Sequence, residues 1–199
     1  MRWETIETPP DSRAPQPLTV RVQSIPARHA FPEHAHAWHQ VVYAVSGVLT
    51  VAVDGRSFVI SPEQAVWLPT GHRHRVGSLL GAEFRSLWIA DAAGAGLPGG
   101  PTVLGVPPLL QALIVEAAAL DGVADDDGYA GRVAALILDQ LRRAAPCPAP
   151  CPGRARARWP RSARRSTPRR PMPAGRRNGA GPSACRAARS PAASRPSSA

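Results

Sequence analysis

Hydrophobic and polar residues alternate with a period of two through the first half of the chain. Between Leu18 and about Leu104, short runs rich in β-branched and aromatic residues are separated by turn residues. The runs are L-T-V-R-V-Q-S-I, H-Q-V-V-Y-A-V, V-L-T-V-A-V, S-F-V-I, A-V-W-L and F-R-S-L-W-I. Asp54 and Gly55 lie between two of them, and this pair favours a tight hairpin turn. Many short strands with no helices between them predict an antiparallel sandwich or small barrel.

The hydrophobic period becomes helical after residue 105. One apolar stripe, bounded by a proline start and a glycine stop, comprises Leu109, Leu110, Leu113, Ile114 and Ala117. A second stripe, after an acidic turn, comprises Val133, Leu136, Ile137 and Leu141. Two helices with a short connection predict an antiparallel hairpin. Such a hairpin either caps the barrel or forms a dimer surface, and the sequence favours neither alternative.

Charge divides the chain into two unlike parts. The chain has 199 residues and a formal net charge of +10, and all its basic residues are arginine. Thirteen of the 24 arginines lie between Arg154 and Arg195, whereas no acidic residue follows Asp139, so residues 1–153 carry about −3. From residue 146 onward nearly every residue is Pro, Arg, Ala, Ser or Gly, which leaves too little apolar surface to offset chain entropy. We therefore expect a disordered tail that binds DNA only non-specifically, through phosphates.

These changes predict four segments: an N-terminal arm (1–17), a barrel (18–105), a helical hairpin (106–145) and the tail (146–199). The cysteines, at 147, 151 and 185, have neither zinc-site nor disulfide spacing. The N-terminus does not resemble a signal peptide, and no apolar run is long enough to span a bilayer. We therefore expect a cytoplasmic protein without a membrane partner.

All six histidines fall in two short windows, His29 to His39 and His72 to His74. On an extended strand, residues of equal parity share a face, so His34, His36, Trp38 and Gln40 should project together, and His39 should point the other way. His74, after the turn at Pro69 and Gly71, is a candidate third imidazole. Three nitrogen ligands and the Gln40 amide oxygen would suit a divalent Zn, Fe, Mn or Ni ion. The alternative is a pocket of hydrogen-bonded histidines without metal.

The two windows resemble the two cupin motifs. His34, His36, Gln40 and Gly47 match the first motif, and Pro69, Gly71 and His74 match the second. Gln40 stands where metal cupins carry Glu, which should weaken the affinity for a dication, and Glu63 stands where the second motif usually opens with Gly. The resemblance implies an RmlC-type jelly-roll barrel.

A narrower resemblance covers residues 18 to 144. The runs H-A-H-A-W-H-Q-V-V-Y-A-V-S-G-V-L-T-V and A-V-W-L-P-T-G-H-R-H-R-V are similar to the N-terminal sensor domain of AraC-type transcriptional regulators. That family implies a barrel that binds a small-molecule effector, here at His34, His36, Trp38, Gln40 and His74. It also implies a homodimer formed by the helical hairpin, residues 107–144, and a role in regulating transcription rather than catalysis.

The helix-turn-helix module of that family has no counterpart after Ala145, because the tail lacks the 3.6-residue apolar period of its helices. Our hypothesis is that the reading frame shifted near Ala145. The main alternative function is a metal-dependent cupin enzyme, a dioxygenase or isomerase, with His34, His36 and His74 on the metal. Gln40 weighs against that alternative.

Overall fold

The computed structural model describes residues 3–7, 14–120 and 128–147. In this part of the chain, ten strands precede two α-helices. The strands are β1 (Glu4–Thr5), β2 (Leu18–Ile25), β3 (His29–Ala30), β4 (His39–Gly47), β5 (Leu49–Val53), β6 (Arg56–Ile60), β7 (Gln64–Leu68), β8 (His74–Ser78), β9 (Ala82–Ile89) and β10 (Thr102–Gly105). The helices are α1 (Pro108–Ala119) and α2 (Tyr129–Arg143), and a 3₁₀ turn covers Asp91–Gly94. All six predicted runs are strands.

The strands form two five-stranded sheets. Sheet A has the order β1-β3-β8-β5-β6, and sheet B has the order β10-β7-β4-β9-β2. All neighbours are antiparallel except β1 and β3. The chain crosses from sheet B to sheet A at Gly47, whose φ is +75° and whose missing Cβ would collide with the Gly81 carbonyl oxygen. This arrangement confirms the predicted mainly β jelly roll.

The predicted hairpin turn at Asp54 and Gly55 is present. Both residues have positive φ, 51° and 72°, and the flanking Val53 and Arg56 are paired in the β5–β6 ladder. Two central residues with positive φ are typical of the type I′ turn, whose twist matches that of the strands it joins.

The barrel interior between the sheets is apolar over most of its length. Its buried side chains come from both sheets: Ile25, Phe31, Val42, Ala44, Leu49, Val51, Val53, Phe58, Ile60, Val66, Leu68, Val76, Ala82, Phe84 and Val103. Burial of these side chains is the main force that holds the two sheets together.

The two helices contact each other and pack on the outer face of sheet B. Leu110 and Ile114 of α1 join Val41 and Tyr43 of β4 in a second buried cluster. In α2 the buried residues are Val133, Ile137, Leu138 and Leu141. The predicted stripes are therefore wrong at two positions: Leu109 and Leu136 are 51% and 40% exposed. Only about one residue per helical turn contacts the flat sheet, so the buried stripe is narrower than the apolar one.

The end of the described chain returns to the barrel. Pro146 forms an isolated antiparallel bridge with Leu104 of β10, and the Cys147 N–H donates to the Val103 carbonyl at 2.9 Å. Both residues fall in the tail predicted over 146–199, and the described structure continues two residues past the predicted start of that tail. Residues 148–199, with the rest of the predicted tail and the two other cysteines, lie outside the described residues. Neither described helix is long and apolar enough to cross a membrane.

Candidate ligand and metal site

His34 and His74 face each other across the end of sheet A. The β3–β8 pairing continues past β3, and His34 and His74 form an antiparallel bridge in which each N–H donates to the other's carbonyl, at 3.0 and 2.8 Å. This register brings the two imidazole rings to a centroid separation of 4.4 Å. The backbone ladder of sheet A therefore sets the spacing of the two rings.

His36 lies in the segment that crosses from sheet A to β4. Its carbonyl accepts a hydrogen bond of 3.0 Å from the Gly71 N–H, and Gly71 has a φ of +80°. The turn at Gly71, in the second histidine window, therefore fixes the backbone of His36 in the first window. The His36 ring lies 4.9 Å from that of His34 and 5.5 Å from that of His74.

The three predicted imidazoles thus converge, although not in the predicted way. Their candidate ligand atoms all lie within 4.8 Å of one another. We expected one strand to align residues 34 to 40, but β4 begins only at His39. The rings meet because the preceding segment spans the gap between the two sheets, with one end bridged to His74.

Hydrogen bonds fix the tautomer of two of these rings. His34 Nδ1 lies 2.7 Å from the Pro32 carbonyl oxygen, and His74 Nδ1 lies 2.9 Å from the His72 carbonyl oxygen. Because a carbonyl can only accept, each Nδ1 carries the hydrogen, and each neutral ring has its lone pair on Nε2. A backbone carbonyl on the second ring nitrogen is the usual support of a metal-binding histidine.

Burial keeps His74 neutral at physiological pH. Loss of solvation lowers the pKa of His74 from 6.5 to about 4; the hydrogen bond to His72 acts in the opposite direction, and the neighbouring His34 and His36 lower it further. Its Nε2 is buried and has no hydrogen-bond partner among the described residues. A neutral imidazole with an unused lone pair is the form that binds a metal ion.

Gln40 occupies the sheet B side of the site. It is 5% exposed, and its Nε2 donates to the Ser86 hydroxyl at 2.6 Å. Its Oε1 is buried without a partner among the described residues. Val42 lies opposite Ser86 in the β4–β9 ladder, which places Gln40 and Ser86 on the barrel-facing side of adjacent strands. Gln40 thus directs an unused acceptor into the barrel.

Two tryptophans cover the histidines. Trp38 stacks on His36 at a centroid distance of 5.3 Å and an interplanar angle of 11°, and it lies 4.8 Å from Trp88. Both indole N–H groups are buried and lack an acceptor among the described residues. The predicted pocket residue Trp38 is therefore next to the histidines, and Trp88 is a neighbour that we did not predict.

The space between these side chains is small. The cavity has a volume of about 20 Å³. That is room for about one water molecule, far below the ~300 Å³ of a typical organic-ligand pocket. Its lining residues are Arg21, Gln23, Phe31, His34, His36, Gln40, Val76, Phe84, Ser86 and Trp88. A metal ion is small enough for this space, whereas an organic ligand requires the cavity to enlarge.

The other histidines lie outside the cluster, as expected. His29 bonds to the Ala27 carbonyl, and His72 pairs with Asp54 at 2.7 Å. His39 accepts a hydrogen bond from the Thr70 N–H and packs on Trp67. Tyr43 points to the helices, where burial raises its pKa. The alternation of β4 therefore predicts the side of each residue correctly once the strand has begun.

Sequence reasoning missed Arg21, Ser86 and Trp88, which all line the cavity. Arg21 lies opposite Ser86 in the β2–β9 ladder, and Trp88 lies opposite Gln40 in the β4–β9 ladder. The signal was present in the alternation of β2, where Arg21 and Gln23 alternate with valines. An arginine on a strand normally indicates the solvent side, so this polar face was not assigned to the interior.

The donor set fits a divalent first-row ion. Three imidazoles, with unused lone pairs on His34 and His74 and an unused amide oxygen on Gln40, form a nitrogen-rich set of the type that zinc, iron and nickel accept. A tetrahedral ion with bonds of about 2.0–2.1 Å requires nitrogen atoms about 3.3 Å apart, so the rings would move closer together on binding. None of the described residues that line the cavity is Asp or Glu.

Comparisons with known proteins agree with this architecture. Residues 21–90 match the family described as "Cupin domain". The matched range contains both histidine windows and Gln40. It covers about a third of the chain and includes β2 to β9 but neither helix.

One curated relative is a regulator. The chain is 27% identical over 110 residues to the HTH-type transcriptional regulator NimR of Escherichia coli K12, a match that covers 55% of this chain and 40% of NimR. The chain thus spans less than half of that relative's length. This barrel is therefore a cupin-like domain with a distant homologue among transcription regulators.

A solved structure has a similar fold. ToxT from Vibrio cholerae O395 superposes with a TM-score of 0.50 at 10% identity, over 64% of this chain and 56% of ToxT. The DMSP lyase DddQ from Ruegeria pomeroyi DSS-3 matches with a TM-score of 0.36 at 23% identity, over 43% of this chain and 42% of DddQ.

Proposed function

We propose that residues 18–144 form the sensor and dimerisation part of an AraC-type transcription regulator, and that the barrel binds its ligand at His34, His36, Gln40 and His74. The observation that carries the proposal is a set of buried polar atoms, Gln40 Oε1 and His74 Nε2 among them, that have no partner among the described residues and lie at one end of an otherwise apolar barrel. A buried polar atom without a partner costs about 1–3 kcal/mol. A bound ligand would supply the missing partners.

A divalent metal ion is the simplest such ligand. His34, His36 and His74 would hold it, with Gln40 as a weaker oxygen donor. When bound, the ion would supply a positive charge at this end of the barrel. The residues of the chain orient the site through the carbonyl bonds of His34 and His74, and Trp38 and Trp88 limit its access to water.

Sensing is favoured over catalysis because imidazoles are the only candidate acids or bases among the described residues that line the cavity: none of these residues is a carboxylic acid, a phenol or a thiol. The same imidazoles would be occupied by the ion. A cupin enzyme remains the alternative, and it would need its acid or base from the substrate.

The helical hairpin is the part of the domain that we expect to respond when the ligand binds. Ligand-facing Gln40 and helix-facing Val41 are neighbours on β4, so movement at the site is transmitted to the face on which α1 packs. The outer side of α1 is itself apolar: Leu109 and Val115 are 51% and 49% exposed, and Glu116 is its only charged residue. An apolar helix with two apolar sides favours burial against a second copy of the chain.

Hydrogen exchange on the full-length protein tests the coupling. Zn²⁺ should slow amide exchange in residues 108–119 and 129–143, and His34→Ala should abolish the effect because it removes a ligand. His29→Ala is the matched control, since His29 lies outside the cluster and should leave the response intact. If zinc binds stoichiometrically while hairpin exchange stays unchanged, the sensor proposal is wrong and the enzyme becomes the better reading.

Sedimentation tests the dimer. Val115→Arg should convert the full-length protein from dimer to monomer, because it places a charge in the proposed interface. Val59→Arg is the control, since Val59 is also exposed, at 57%, but lies on β6 in the other sheet. A monomeric wild-type protein, or equal effects of both substitutions, would contradict the assignment.

A further inference from the structure

Among the described residues that line the cavity, Arg21 is the only arginine, and none is Asp or Glu. Arg21 lies on β2, is half-buried, and has no ion pair or hydrogen bond with any described residue. A half-buried guanidinium without an anionic partner is uncommon, because burial removes part of its hydration. Arg21 is therefore poised to bind something that is not part of the described protein.

The contact that Arg21 does make leaves its hydrogen-bond donors free. Its Cζ lies over the Trp88 ring, 4.5 Å from the centroid. A guanidinium stacked on an aromatic ring uses its flat face and keeps its N–H edge available for a planar, two-oxygen acceptor. The Trp88 ring also fixes the orientation of the Arg21 guanidinium group, which reduces the entropy lost when a ligand binds.

We infer that the cavity takes a small organic carboxylate, with Arg21 as its charge partner. The inference rests on the proposed function and names the class of ligand for that site. The two oxygens of a carboxylate can accept two parallel hydrogen bonds from the Arg21 guanidinium group. The buried indole N–H groups of Trp38 and Trp88, which lack acceptors, are further donors beside the same cavity.

The surroundings favour a single negative charge. Arg21 is the only arginine among the described lining residues, so a phosphate dianion would lack a second permanent counter-charge. A neutral polyol could donate to the unused Gln40 oxygen, but it would leave the Arg21 charge without a counter-charge, so it is a poorer match than a carboxylate. The apolar Phe31, Val76 and Phe84 would contact the rest of the acid.

Trp38 does not itself line the cavity, but it packs on two residues that do, His36 and Trp88, and it is the side chain that we expect to move. The 20 Å³ cavity cannot hold an organic acid, and Trp38 is half-buried on the irregular segment before β4, held by stacking on His36 and Trp88. Phe31 and Phe84, in contrast, are buried in the barrel core. Displacement of Trp38 would open the space beside His36 and Trp88 to the ligand and would change the fluorescence of Trp38.

Calorimetric titration of the full-length protein tests the inference with matched pairs: acetate against acetamide, and benzoate against benzamide. Inorganic phosphate is the third arm. At least one carboxylate should bind, with a change in tryptophan fluorescence, while its uncharged amide does not. Arg21→Gln should weaken that binding about ten- to a hundredfold, since hydrogen bonds to charged groups contribute about 1.5–3 kcal/mol. Arg21→Lys should be intermediate.

Arg56→Gln is the matched control, because Arg56 also lies over an aromatic ring, Phe58 at 4.8 Å, but does not line the cavity. Its affinity for the carboxylate should equal that of the wild type. The inference is overturned if no carboxylate binds, if the amide or phosphate binds as well as the acid, or if binding survives Arg21→Gln.

Failure of this inference is distinguishable from failure of the proposed function. Zinc binding at the histidines does not involve Arg21, so Arg21→Gln should retain the zinc-dependent slowing of exchange in the hairpin, which also shows that the variant is folded. If carboxylates fail while zinc still slows the hairpin, only the ligand class is wrong. If both fail, the sensor proposal is lost as well.

Discussion

The two faces of sheet B differ in what they bury. Toward the barrel, β4 presents Gln40, whose amide oxygen has no partner in the described part of the chain. Toward the helices it presents Val41 and Tyr43, packed in an apolar cluster. The barrel face thus contains polar groups that cost stability, while the helix face contributes apolar burial that offsets the cost. One set of strands therefore combines a functional face with a stabilising face.

This contrast explains why the site and the hairpin belong together. The end of the barrel that holds the histidines keeps its polar groups available for a ligand. Apolar side chains packed as tightly as in the rest of the barrel would remove those groups. Burial of Leu110 and Ile114 against the opposite face of the sheet offsets the stability that the polar end loses. Substitutions on the two faces should accordingly fail in different ways.

The largest effect should come from the helix face. Ile114→Ala should lower the free energy of unfolding by about 2–5 kcal/mol, because Ile114 is fully buried and the substitution leaves a cavity. Chemical denaturation measures the loss. Val59→Ala, at an exposed position on β6 outside the proposed interface, should cost much less. Equal losses would mean that α1 does not pack on sheet B.

The barrel face should produce a pH effect of similar size. His74 has a pKa of about 4 when folded, below the ordinary value of 6.5, so the unfolded chain takes up the proton first as the pH falls. The contribution of His74 to the free energy of unfolding is complete above pH 6.5. As the pH falls toward 4, the free energy of unfolding decreases by roughly 3 kcal/mol. Unfolding measured with a chelator present should show a shallower pH dependence for His74→Gln than for the wild type. Val59→Ser, a change at an exposed residue that does not titrate, should leave the slope unchanged.

A smaller effect tests the metal assignment. Gln40→Glu should tighten Zn²⁺ binding by at least about tenfold, or 1.4 kcal/mol, because a carboxylate is a charged donor and an amide is not. Without metal the same variant should be less stable, since it buries a charge. Calorimetry with Gln23→Glu as the control, which also lines the cavity, should show a smaller gain. An unchanged affinity in Gln40→Glu would remove Gln40 from the site.

The smallest effect marks where the helix face ends. Val22 has the same parity as Val20, which packs with the hairpin cluster, but it is 60% exposed. Val22→Ser should change the free energy of unfolding by less than about 0.5 kcal/mol. Val41→Ser, at a fully buried position, should cost several times more. A large loss at Val22 would indicate that another surface covers it.

The strands and helices followed from local patterns because each repeats a period several times. The six predicted runs carry enough alternating residues to show a period of two. β1 and β3 have only two residues each, and β8 begins with the polar pair His74 and Arg75, so neither period nor composition marks them. Their pairing depends on residues distant in the sequence.

The candidate site was predictable in part. Residue type and spacing predicted that His34, His36 and His74 would meet, and the structure brings their ligand atoms within 4.8 Å. Arg21 and Ser86 could not be found in this way, because their place beside Gln40 depends on the order β4-β9-β2, which no local pattern reveals. The small cavity was equally unpredictable, since it results from how Trp38 and Trp88 pack.

The backbone bonds of Pro146 and Cys147 to β10 have a practical consequence for engineering. A fluorophore or a foreign domain joined directly after Cys147 would start from a fixed position at the margin of the barrel instead of from the end of a free helix. Its orientation would then report on displacement of β10, and through β7 on the strand that carries Gln40.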